Sequence, residues 1–213
     1  MARWILREPG VVAHQTVLEL GAGTGLVGFV GALQGAAKVY LTDYQTNIID
    51  NLKENVRLNA EHPAISNVYP CQLDWSWFDD NADDDEEHQT DLSQLPRRAL
   101  ADQALAQVAD ATVILGADII YELTHARWLP RLLTRYVQYH MNRARSSDSD
   151  HSVVVYIMVP CRPTHAPELE LWETQMTQCG WSKTLGQDFS NPGYDDAAPT
   201  YQLQRWHWET LSR

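Results

Sequence analysis

Glycines at positions 21, 23 and 25 alternate through LELGAGTGL, with Glu19 two residues ahead of the first and Asp43 downstream of the last. Glycine adopts φ > 0 without strain and carries no Cβ, so three in this pattern make a tight turn against which a ligand can lie. Asp43 then stands where the hydroxyls of a ribose would lie, if that ligand is a nucleotide. Gly23, Gly25 and Gly28 also satisfy G-x-G-x-x-G, the dinucleotide spacing in which a pyrophosphate rests on a helix N-terminus. Three readings are therefore open: a dinucleotide site, another adenosine-type ligand with a cationic group for Glu19, or a glycine turn that binds nothing.

These residues need elements to hold them. Val17, Leu18 and Leu20 form a short apolar run that stops at Gly21, as a buried parallel strand would. From Leu26 the period becomes helical, with Phe29, Val30 and Leu33 on one face and Gly35 closing the helix. Residues 39–41 make a second strand ending at Asp43, which completes a βαβ unit.

The rest of the chain continues in kind. Residues 2–7 read as a helix broken by Pro9-Gly10, and Ile48, Ile49, Leu52, Val56 and Leu58 as a helical stripe ended by Pro63. Strands are expected at 68–73, 112–115, 153–159, 181–185 and 201–208. Helices are expected at 100–108, around Leu129, Leu132, Leu133 and Tyr136, and at 169–178. Residues 143–150 read as a polar loop. Asn51, Asn55 and Asn59 fall on one helix edge and read as solvent-facing or capping groups. Seven strands, helices between the first five and a closing pair describe an α/β, doubly wound sheet in a single domain, 1–213. Ligands in such sheets sit beyond the carboxyl ends of the strands. Asp43, Asp74-Trp75 and Asp118 each follow one of those strands, which places them at one site.

Composition narrows the class. A net charge of −12 over 213 residues argues against a nucleic-acid binder, which needs a basic face. Eight carboxylates fall within 79–91, and with them removed −12 becomes −4, so the charge is largely local to an expected surface insertion. That insertion reads as a solvated loop or, alternatively, as a surface for a basic partner. Cys71, Cys161 and Cys179 are widely spaced and no CxxC or HxxxH pair occurs, so no metal site is expected. Free thiols and the lack of a long apolar run point to a cytoplasmic, alternatively nuclear, monomer.

Glu19 followed by the alternating glycines resembles motif I of the seven-strand S-adenosylmethionine (AdoMet) methyltransferases. The order VLELGAGTGL, LTD, NLKENVRLN, LDW, ADIIYE resembles, more narrowly, family 16 of that superfamily, mostly protein lysine N-methyltransferases. The resemblance spans about 6–162 and implies a Rossmann-like sheet ordered 3-2-1-4-5-7-6 with strand 7 antiparallel. It implies that Glu19, Gly21, Gly23 and Gly25 hold the methionine part of AdoMet and that Asp43 binds its ribose. Asp74 would orient the adenine amino group and Trp75 its ring face, Ala117 would meet the methionine end, and Asp118 and Tyr121 would face the acceptor amine. Trp75 and Tyr121 have plain packing alternatives, and Arg162 reads either as a substrate contact or as a surface ion pair. The implied activity is methylation of lysine in a protein substrate. The alternatives are a small-molecule N-methyltransferase and a weakly catalytic AdoMet-binding interaction module. One departure stands out: family members carry a tryptophan motif upstream of the first helix, and Trp4 does not match it, so the sequence reads as a fragment, an incomplete gene model or a reduced member with weak activity.

Overall fold

The computed structural model describes residues 1–79, 96–144, 152–189 and 200–208. Most of the acidic stretch at 79–91 and most of the polar loop at 143–150 lie outside these residues. Seven strands form one sheet: β1 (Thr16–Leu20), β2 (Lys38–Asp43), β3 (Val68–Gln72), β4 (Val113–Ala117), β5 (Val154–Pro160), β6 (Trp181–Phe189) and β7 (Tyr201–Trp208). Their order is β3-β2-β1-β4-β5-β7-β6. The pairs among β1 to β5 are parallel, and β7 runs antiparallel to both β5 and β6. This is the order and orientation that the resemblance implies.

Helices α1 (Ala2–Arg7), α2 (Leu26–Leu33) and α3 (Thr46–Leu58) supply Ile5, Val27, Ile49 and Leu52 to one core, with Val17, Val39 and Leu41 from the sheet. Helices α4 (Arg97–Val108), α5 (Leu123–Ala144) and α6 (Ala166–Gln178) supply Leu105, Leu129, Leu133 and Trp172 to the other, with Leu18 and Leu20. Successive strand residues point to opposite faces, so Val17 and Leu18 enter different cores. Fully burying one Leu or Val stabilises the fold by roughly 1.5–3 kcal/mol, and both faces of the central strands gain this way. Among the described residues no helix is long and apolar enough to cross a membrane.

Two local features go beyond the sequence reading. The buried face of α2 is Val27, Gly28, Gly31 and Ala32, while Leu33 is exposed and Phe29 and Val30 are half-buried. The small residues let α2 come down onto the sheet: a Cβ on Gly28 would lie 2.2 Å from Leu41 Cδ2. Of the apolar side chains expected on one face, Phe29 and Val30 pack partly against the core and Leu33 is left exposed. Strand β6 also continues beyond residue 185 to Phe189, because pairing with β7 sustains it through the polar segment Gly186-Gln187-Asp188. An edge strand needs no continuous apolar run.

Candidate functional site

The turn after β1 is locked from below. A Cβ on Gly25 (φ 82°) would come within 3.0 Å of Leu52, Leu41 and Phe29, so α3, β2 and α2 all press on it. Gly21 (φ 61°) is just as crowded, by Ile119 Cγ2 at 2.9 Å and the six-membered ring of Trp75 at 3.3 Å. Gly23 (φ 54°) differs: a Cβ there would meet nothing within 4 Å. Gly23 is thus the place where the turn opens toward a ligand.

Side chains from β1, β2 and α3 fix this turn. Glu19 shares the face of Val17, beneath α2, and is only 3% exposed. The Gly28 N–H donates to its Oε2 (2.8 Å), which ties the first turn of α2 to the strand. Burial pushes the Glu19 carboxyl up to about 8, against the Gly28 hydrogen bond and with help from the Asp43 charge. Asp43, 7% exposed, accepts from the Gly23 N–H through Oδ2 (3.2 Å) and from the Tyr44 N–H through Oδ1 (2.9 Å). Asn55 Nδ2 donates to the Thr24 carbonyl (3.2 Å), so one of the asparagines on the α3 edge holds the turn directly. That contact was not legible in the asparagine spacing, which identifies an edge but no partner.

Strand β3 delivers Asp74 and Trp75. Asp74 Oδ1 accepts from the Ser76 N–H (2.8 Å) and caps the short 3₁₀ turn Trp75–Phe78. Trp75 is half-buried between Gly21 and His125, whose ring meets it edge-on at 5.3 Å. Its indole Nε1 is buried and meets no hydrogen-bond partner among the described residues, as does His125 Nδ1. Sequence reasoning did not single out His125. A polar residue in the first turns of α5 gave no sign that it would be buried among rings, with Tyr121 edge-on at 4.4 Å and Trp128 at 6.2 Å. Burial lowers its pKa, partly opposed by Glu122, and favours the neutral imidazole.

The end of β4 brings Ala117, Asp118 and Tyr121 to the same edge. Ala117 ends the strand, and the Asp118 N–H donates to Met158 O on β5 (2.8 Å). Asp118 has φ 57°, a left-handed conformation that Asp tolerates better than most residues but that carries strain. Its side chain is 44% exposed, with Oδ2 3.7 Å from Arg162 Nη2. Tyr121 is 48% exposed. Its phenol is held above the usual range by partial burial and by Tyr44, Glu122, Asp43 and Asp118 around it, so it stays protonated near neutral pH. The carboxyl edge of the sheet therefore gathers the glycine turn, Asp43, Asp74, Trp75, Ala117, Asp118 and Tyr121, with Glu19 one layer beneath the turn.

Comparisons with known proteins bear on the sequence and the fold. Residues 7–93 match the sequence model of the lysine methyltransferase family. The chain is 27% identical over 194 residues to protein-lysine N-methyltransferase rrg1 of Schizosaccharomyces pombe, covering 90% of this chain and 54% of that protein. It is 33% identical over 140 residues to methyltransferase-like protein 22 of Mus musculus, covering 63% of this chain and 33% of that one. The chain thus spans about half, or less, of the length of the curated relatives it matches. Among solved structures it resembles magnesium protoporphyrin IX methyltransferase of Synechocystis with bound SAM (TM-score 0.55, 11% identity, 98% of this chain and 76% of that one). It also resembles ribosomal protein L11 methylase of Lactobacillus delbrueckii (TM-score 0.54, 15% identity, 98% and 77%). Residues 7–93 are thus similar to the lysine methyltransferase family, and the fold is the Rossmann-like, seven-strand methyltransferase sheet.

Proposed function

We propose that this protein is an AdoMet-dependent N-methyltransferase that acts on lysine side chains of a protein substrate. The observation that carries the proposal is the convergence of four successive strand ends on one edge. It joins an open glycine turn and a buried carboxylate to an exposed carboxylate and phenol. The residues fit the cofactor. Asp43 keeps lone pairs beyond those used by Gly23 and Tyr44 for ribose hydroxyls, and the space at Gly23 admits a ligand against the backbone. Trp75 offers a ring beside the turn, and Asp74 a carboxylate at the end of β3. Bound AdoMet would supply a sulfonium-activated methyl group.

What remains for the chain is to align an amine and let it lose a proton. A lysine ammonium has a pKa of about 10.4 and must be neutral before it attacks. Asp118 is placed to accept a hydrogen bond from the amine, and Tyr121, a neutral phenol, orients rather than removes a proton. Tyr44, Tyr121 and Leu123 are 51%, 48% and 44% exposed, which supports an open mouth suited to a protein acceptor rather than an enclosed small molecule. The acidic stretch at 79–91 supports a basic protein partner, and the net charge of −12 disfavours nucleic acid. The same proposal takes the protein as a monomer of the cytoplasm, alternatively the nucleus, and its three free cysteines fit a reducing compartment.

The test is transfer of label from methyl-tritiated AdoMet to a protein lysate, followed by mass spectrometry of the labelled species. Methyl groups on lysine side chains of discrete proteins are expected. Label appearing only in the small-molecule fraction would overturn the protein-substrate assignment, and no label with no AdoMet binding would overturn the whole.

A further inference from the structure

Arg162 lies across the strand ends from Asp118, and both ends of that contact are fixed by the backbone. Asp118 is held in its left-handed conformation with its N–H on β5. Arg162 follows β5 by two residues and precedes Pro163, which favours an extended backbone, and its φ of −100° and ψ of 129° agree. Its side chain is 42% exposed and its Nη2 is 3.7 Å from Asp118 Oδ2. This is a long contact between partly solvated groups, too weak to matter for stability. What it does is set a positive charge beside the exposed Asp118 carboxylate.

Among the described residues, the titratable groups about Tyr121 beside that position include the carboxyls of Asp43 and Glu122, the phenol of Tyr44 and the imidazole of His125. Burial favours the uncharged form of His125. A carboxylate facing a lysine ammonium stabilises the charged amine, which opposes the deprotonation that methyl transfer requires. A site with Asp118 alone would therefore bind the acceptor well and hold it in the unreactive form.

We propose that Arg162 is a positioning residue that balances the charge of Asp118, so that Asp118 orients the acceptor amine as a hydrogen-bond acceptor without retaining its third proton. This rests on the methyltransferase reading above. In the step it serves, the ammonium first gives its proton to bulk water. The nitrogen lone pair then forms the N–C bond while the S–C bond breaks and its electrons stay on sulfur. Arg162 exchanges no proton or electron pair; it sets the field in which the amine titrates.

The experiment is the pH profile of methyl transfer from tritiated AdoMet to a lysate protein fraction, between pH 6.5 and 10, for wild type, Arg162→Gln and Arg162→Lys. In Arg162→Gln the half-maximal point should move up by about one pH unit, with transfer at pH 7.5 down about tenfold and recovered near pH 9.5. Arg162→Lys keeps the charge and should keep most of the wild-type profile. AdoMet affinity by calorimetry should be the same in all three. A uniform loss at every pH would show a structural role and overturn the inference, as would an Arg162→Gln profile identical to wild type. A wild type that neither binds AdoMet nor transfers label fails the underlying reading, and the inference with it. A wild type that transfers label with an Arg162-independent profile fails this inference alone.

Discussion

The two sides of the strand-end cleft are built differently. On the β1–β2 side, Asp43 is 7% exposed with both oxygens bonded to backbone N–H groups, Glu19 is 3% exposed, and two of the three turn glycines are packed to contact. On the β4–β5 side, Asp118 and Arg162 are both more than 40% exposed and meet at 3.7 Å, and Tyr121 is about half exposed. The first side is rigid before any ligand arrives, which lowers the ordering cost of binding. The second keeps its polar groups in reach of solvent and of an incoming chain. Cofactor affinity should therefore depend on the buried side and turnover on the exposed one.

The sharpest way to break this division is Asp118→Asn. Asn tolerates a φ of 57° and keeps the shape, so the fold should survive while the charge is lost. Without the carboxylate the incoming ammonium is neither drawn in nor aligned by a strong acceptor, so transfer should fall by about 10²–10⁴-fold with AdoMet affinity nearly unchanged. A wild-type rate would leave the site with cofactor residues only. Next comes Asp43→Asn, which should weaken AdoMet by about 2–4 kcal/mol, roughly 30- to 1000-fold in Kd by calorimetry. Asp43→Ala is the less clean variant, because it also strips the partner from Gly23 N and Tyr44 N and should lower the melting temperature as well.

Trp75→Ala should cost about 1–3 kcal/mol of AdoMet affinity if base–aromatic stacking energies apply to adenine here. Because the ring also packs on Gly21 and His125, some loss of melting temperature should accompany it. Unfolding without a separable binding defect would make Trp75 a packing residue. The last effect is on stability rather than on binding or turnover, and concerns Glu19. Its folded-state pKa, about 8, is above the 4.5 of the unfolded chain, so its contribution to stability is complete below pH 4.5 and is lost as pH rises toward 8. Glu19→Gln removes that titration and keeps an oxygen for Gly28 N–H. Urea midpoints at pH 5 and pH 8.5 should differ less in Glu19→Gln than in wild type; an equal difference would show that Glu19 is not the titrating group.

Much of this division was legible in the residues and part of it was not. Alternating glycines and a strand-terminal Asp43 are local signals, and the turn they predict is present with φ near 54–82° at all three glycines. The strand order followed from resemblance and is matched throughout the sheet. On α2 the stripe Phe29, Val30 and Leu33 is at most half-buried, because close helix–sheet approach selected Gly28 and Gly31. Asn55 on Thr24, His125 on Trp75, and Arg162 on Asp118 join segments 31 to 50 residues apart. No periodicity within one segment encodes contacts of that range. Arg162 shows the limit well: its position after β5 offered a substrate contact or an ion pair, and only the packed strand ends name Asp118 as the partner.

Calorimetric titration of AdoMet into wild type, Asp43→Asn and Asp118→Asn, run side by side, tests the central claim most directly. The account predicts one saturable site per chain in the wild type, affinity lowered roughly 30- to 1000-fold in Asp43→Asn, and affinity near wild type in Asp118→Asn. Absence of binding to the wild type, or equal weakening in both variants, would contradict it.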